Sequence, residues 1–299
     1  MTSNALTVDV EQLLKSASVP ALPQSAVTLL RLSQDPDVGP AEFAVPVESD
    51  PGLASQVLKF VNSAYFGFSR EISSVRQAIT LVGIRTIRNF ALWSAVFSLM
   101  PNPRCGPFEL RNMWQDSLRR AIFGREVARR LGGCDADEVF AAALLQDLAI
   151  PILAKEYSAQ YAELLEKREG GHVRLSQLER ELFGVDHAEV GARIAAHWKL
   201  PESTSRLIAR HVAAEEVTAQ ANQMKQEAAV ALSALLPAAR DEAWVELPQM
   251  LECFGRLLPL EDLPGLLQQT DQVFEELAPL LQISKPAQSL CDIWQQSQG

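Results

Sequence analysis

Arg70, Arg76, Arg85 and Arg88 crowd into one short stretch, and Arg85 and Arg88, three residues apart, share a helical face. Guanidinium groups so placed suit an acidic partner or the phosphate of a nucleotide. The competing reading is structural, with arginines at helix junctions bonding free carbonyls, and it is preferred for Arg76. Other reactive types are sparse. Cys105, Cys134, Cys253 and Cys291 lie far apart with no CxxC or Cys/His spacing, so neither a zinc site nor a disulfide framework is expected. His187 follows the cap residue Asp186 and reads as a hydrogen-bonded structural histidine. His211 follows Arg210 near a helix end, where the dipole favours a cation. His172 and His197 have no partner pattern. Asp147, under the apolar run of ALLQDLAIPIL, is expected to be held by a cap, an arginine or a backbone donor.

The elements that position these residues read as helices. Apolar residues recur at three- and four-residue spacings, and alternating strand patterns are scarce. Ser49-Asp50-Pro51 supplies a cap with proline at the first helical position, opening a helix expected to stop at Gly67. A helix pair follows with its junction near Gly83, and PNPRCGP separates it from a second block beginning at Phe108. Asp186 with Glu189 reads as a cap, and Pro201 as the start of the next helix. Beyond Glu215 the pattern stays helical without a polar cluster suggestive of a site. With 47% hydrophobic residues in 299, the chain can bury a sizeable core. Its 27 basic against 37 acidic residues, a net charge of -10, disfavour sequence-blind nucleic-acid binding. FALWSAVFSLM is too short to span a bilayer and the N-terminus lacks a signal-peptide pattern, so a cytoplasmic protein with reduced thiols is expected.

A set of markers recurs in a fixed order: Asp50-Pro51, Asn62-Ser63-Ala64-Tyr65 with Gly67, and Arg76-Gln77-Ala78-Ile79 before Gly83. Trp114, ALLQD, DHAEVG from Asp186 to Gly191, and WKLP from Trp198 to Pro201 follow. From about Val19 to Val212 the chain thereby resembles the HDOD family, the HD-related output domain of bacterial signalling. HDOD domains are similar to HD phosphohydrolases, whose helices converge His and Asp side chains on one or two metal ions. The resemblance implies a site in altered form. Asp116 stands where the first ligand histidine is found, and Gln146-Asp147 where the paired His-Asp is found. Ala149 and Ile150 replace the usual glycine and lysine, His187 is retained, and a frequent His-His pair is here His211-Val212. A glutamine amide is a weak, uncharged donor, so Gln146 does not replace imidazole. The surviving types, His187, His211, Asp116 and Asp147, still include a known mononuclear set of two histidines and a carboxylate.

The expected architecture is all-α: a multi-helix bundle of HDOD/HD-like type with extra C-terminal helices. The expected divisions are 1–107, the N-terminal half; 108–214, the degenerate HD-like half; and 215–299, a C-terminal extension. Asn62, Tyr65, Arg76 and Gln77 carry the family signature in structural roles, and Arg70, Arg85 and Arg88 are the binding candidates. No catalytic residue, cofactor or native metal is expected, and Asp116, Gln146, Asp147, His187 and His211 are remnant positions. The function implied is a non-catalytic signalling module acting on unidentified signalling proteins or a small ligand, with its input from a separate partner or a missing segment. The alternatives are a metal-dependent phosphohydrolase with a reduced site and a cyclic-dinucleotide sensor without turnover.

Overall fold

Caps set the helix starts. The backbone N–H of Leu53 donates to the Asp50 side chain, those of Asp137 and Glu138 to Asp135, and that of Glu189 to Asp186. Each such cap stabilises its helix by about 1 kcal/mol. The computed structural model describes residues 8–32, 35, 37–63, 66–241, 243–279 and 281–298, and every regular element among them is helical. The chain divides into two units: the residues up to Pro20 with Met100–Asp271 and those from Pro286 on, and Ala21–Leu99 with Gln272–Lys285.

The first unit is organised on the helix Leu110–Leu131, which is buried along most of its length from Met113 to Ala128. Helices Ala136–Leu145 and Lys225–Ser233 pack against it. Small residues let them come close. A Cβ at Gly124 would stand 3.3 Å from Val139 Cγ1 and 3.4 Å from the Ala229 carbonyl oxygen and Ser233 Cβ, so any larger residue there would crowd both neighbouring helices. The last helix, Leu290–Gln296, is held to this unit by Asp271, which accepts from the backbone N–H groups of Leu290 and Cys291, both at 3.0 Å.

In the second unit, helices Gln24–Leu32, Pro40–Glu48, Pro51–Val61, Val75–Val82 and Ile84–Leu99 pack together, and the Phe60 ring stacks on Phe90 at 4.2 Å. The helix from Pro51 ends at Val61, short of the expected stop at Gly67. Asn62 is the reason. Its Nδ2 donates to the carbonyls of Leu58 (3.0 Å) and Ile72 (2.8 Å), and its Oδ1 accepts from the Ile72 N–H at 2.7 Å. One side chain thus closes the helix and pins the returning loop, an outlet for end carbonyls that a longer helix would not offer. The junction at Gly83 falls where expected, between Val82 and Ile84. None of the helices among the described residues is long and apolar enough to cross a membrane.

Candidate functional site

Three helix junctions in the first unit converge. Asp147 sits in the turn between Ala136–Leu145 and Ala149–Glu156, His187 is the first residue of His187–His197, and His211 directly follows Glu202–Arg210. Glycine at position 191 eases the approach of the histidine helices, since a Cβ there would stand 3.2 Å from Ile208 Cγ2 and would push on it. All three side chains are buried. His187 Nε2 lies 3.1 Å from His211 Nε2, and Asp147 Oδ1 lies 3.5 Å from the first and 3.6 Å from the second.

Each outer atom of this trio has its own partner. His187 Nδ1 meets Glu179 Oε2 at 2.5 Å, and the same oxygen accepts the His187 backbone N–H at 2.8 Å. Glu179 is itself fully buried and accepts the hydroxyl of Tyr161. His211 Nδ1 donates to the Ile208 carbonyl at 2.6 Å, and Asp147 Oδ2 pairs with Arg120. These bonds place a hydrogen on Nδ1 of both rings and turn both Nε2 atoms toward Asp147.

The electrostatics follow from that wiring. Burial opposes a charge on His187, but the Glu179 carboxylate and then Asp147 outweigh it and raise its pKa to about 9. Burial and the neighbouring His187 charge push His211 down to about 4. Burial would raise Asp147, yet Arg120 and the two histidines hold it below the ordinary carboxylate range. One proton therefore lies between the two Nε2 atoms. His187 Nε2–H donates to the neutral His211, so His211 is not the helix-end cation its position suggested.

A cavity of about 500 Å³ opens against the trio, and Asp116, Arg120, Arg168 and Glu246 also line it. Asp116 accepts the Ala239 backbone N–H at 2.8 Å, and burial raises its pKa to about 6 against the pull of Arg120. Arg168 grips Asp241 with Nη1 at 2.5 Å and Nη2 at 2.9 Å. The segment beyond Glu215 therefore contributes polar residues to the cavity, contrary to its featureless sequence.

Residues 19–214 match the HDOD domain family. The chain belongs to that family. A Treponema pallidum uncharacterized protein is 26% identical over 195 residues, 64% of this HDOD chain and 37% of that protein's length. The HDOD chain thus spans little more than a third of that relative. Among solved structures, an HDOD domain protein of unknown function from Geobacter sulfurreducens is 23% identical with a TM-score of 0.69, covering 91% of this chain and 98% of the other. A candidate phosphohydrolase from Shewanella amazonensis is 22% identical with a TM-score of 0.71, covering 94% and 98%. At these identities the likeness shows a shared fold.

Of the five remnant positions in this HDOD chain, Asp147, His187 and His211 come together and Asp116 lines the same cavity. Gln146 is fully buried, and neither its amide oxygen nor its nitrogen has a partner. In the second unit Arg70, Arg76, Gln77 and Arg85 are exposed and Arg88 is half-buried, bonded to Asn89. Tyr65 lies outside the described residues. Arg120, Tyr161 and Glu179 escaped the sequence reading. Glu179 left a trace: it lies on the stripe with buried Ser176 and Phe183, a charge where apolar residues belong. Asp116 and Arg120, four apart on one helix, were another.

The HD relationship implies metal, and the donor set can be tested against it. An ion bonded at about 2.0–2.2 Å keeps its ligand atoms roughly 3.0–3.6 Å apart. The separations of 3.1, 3.5 and 3.6 Å fit one such ion held by His187, His211 and Asp147. A second ion has no comparable set among the described residues.

Proposed function

We propose that this HDOD chain is a cytoplasmic regulatory module whose cavity recognises a small ligand or signalling partner without turning it over. The observation that carries this reading is the engagement of Asp147: Arg120 already neutralises it, while Asp116 is committed to the Ala239 N–H and Gln146 offers no imidazole. Two-metal hydrolysis needs a pair of ions about 3.5–4 Å apart, each with its own donors. The test is hydrolysis of bis(4-nitrophenyl) phosphate by the purified chain with manganese, iron or zinc. The expected result is no rate above that of Asp147→Ala; metal-dependent turnover that disappears in Asp147→Ala overturns the reading.

The convergence of both Nε2 atoms on Asp147 Oδ1 supports a second reading, a mononuclear metal-dependent phosphohydrolase. His187, His211 and Asp147 would hold the ion, which supplies Lewis acidity toward a phosphoryl oxygen. Glu179 and Tyr161 would keep the His187 ring in register, and Arg120 would neutralise ligand charge. The same assay, with metal content of the purified protein, separates the two readings.

A further inference from the structure

The separations within the trio suit a divalent ion, so the groups behind its three donors decide how tightly one is held. Behind His187 stands a carboxylate, Glu179, and behind His211 a carbonyl, that of Ile208. Both strengthen the ring as a donor, which is the ordinary arrangement behind a metal ligand. Behind Asp147 stands a cation. Arg120 Nη1 binds Oδ2, on the other side of the carboxylate from the Oδ1 that faces both Nε2 atoms. The pair is sheltered from water, with the Arg120 side chain 14% and that of Asp147 4% exposed, so its charges are poorly screened. Arg120 is also bound to stay. Asp147 accepts its hydrogen bond, and its Nε is buried without an acceptor. The other arginines of the cavity are engaged away from the trio, Arg168 on Asp241 and Arg240 on the Pro107 carbonyl, with Arg174 beside Glu246.

Two effects oppose each other at this carboxylate. A partner that orients a ligand is worth about 10–100-fold in metal affinity. A buried unit charge within a carboxylate's width of a doubly charged ion repels it by more than that. From this we infer that Arg120 sets the metal affinity of the trio, holding it well below what the same three donors reach with an uncharged partner on Asp147. This rests on the engagement of Asp147 that carries the non-catalytic reading, and it names the residue that regulates the site. Arg120 acts through Asp147 and does not itself touch the ion.

The probe is zinc chloride, titrated calorimetrically into the metal-stripped full chain and its Arg120→Gln and Arg120→Lys variants. Glutamine keeps an N–H donor without the charge, and lysine keeps the charge without the fork. Expected is one-to-one binding at least about tenfold tighter in Arg120→Gln than in the parent, with Arg120→Lys as weak as the parent. Adding His211→Ala to Arg120→Gln should abolish the gain, which sets aside zinc taken by the four cysteines. If Arg120→Gln does not fold alone, zinc should restore its helical circular dichroism, because an ion bound to the native state stabilises it. Failure of that recovery overturns the inference. So does equal or weaker binding in Arg120→Gln, or a gain in Arg120→Lys as large as that in Arg120→Gln. Hydrolysis of bis(4-nitrophenyl) phosphate by the zinc-loaded parent would sink the non-catalytic reading, while the ratio of affinities still decides the role of Arg120.

Discussion

His187 and His211 face each other through their Nε2 atoms at 3.1 Å, one ring charged and the other neutral. The asymmetry has a source. His187 rests on a carboxylate, Glu179, and His211 on a carbonyl, that of Ile208. The proton goes to the ring with the stronger acceptor behind it.

That wiring makes stability depend on pH. His187 has a folded pKa of about 9 against an ordinary 6.5, with Glu179, Asp147, Asp186 and His211 around it. Its contribution is therefore complete below about pH 6.5 and is lost as pH rises through 9. Denaturant unfolding should show a decline on the order of 3 kcal/mol across that window. In Glu179→Gln the decline should flatten and the His187 imidazole should titrate lower by NMR. An unchanged alkaline slope in the variant would remove Glu179 from this role.

Asp116 should act in a lower window. Its pKa is raised from 3.8 to about 6, so the protonated acid favours the fold below about pH 4 and that advantage is lost as pH climbs through 6. Asp116→Asn keeps an oxygen for the Ala239 N–H without the charge. Relative to the parent it should gain roughly 2–3 kcal/mol above pH 6, measured by unfolding at pH 4 and pH 8. A relative stability equal at both pH values would contradict this.

Arg120 and Asp147 form a buried pair, and removing one partner strands the other. Arg120→Met is expected to destabilise by about 3–5 kcal/mol in urea unfolding. Asp147→Asn in the same background should recover much of that loss, because the uncompensated charge is gone. If the double variant is as unstable as the sum of the two singles, the pair is not coupled.

Gln146 presents the opposite case. Its amide is fully buried with no partner for either polar atom, so Gln146→Met, which keeps volume, should raise stability by about 1–3 kcal/mol. Thermal melting measures this directly. A lower melting temperature would mean that the amide has a partner, such as an ordered water.

The all-α class and the order of markers were legible because both are local: periodicity, caps at Asp50 and Asp186, and the break at Gly83 need only neighbours in sequence. Family motifs named Asp147, His187 and His211. What stayed hidden was the set of partners these residues acquire across the fold. Glu179 and Tyr161 come from helices whose patterns show no motif, and Arg120 is one of several arginines on the long central helix. The end of the helix at Val61 was missed for a similar reason, since Asn62 closes it with Ile72, ten residues on.

The Ala239–Asp116 and Asp241–Arg168 bonds have a consequence for where this domain ends. The family match stops at residue 214, but the cavity takes Ala234, Leu235, Ala238, Arg240 and Glu246 from beyond that point. A fragment trimmed at residue 214 would strand Asp116 and Arg168 and lose part of the cavity wall. The wall of the cavity is thus finished by residues that no family motif marks.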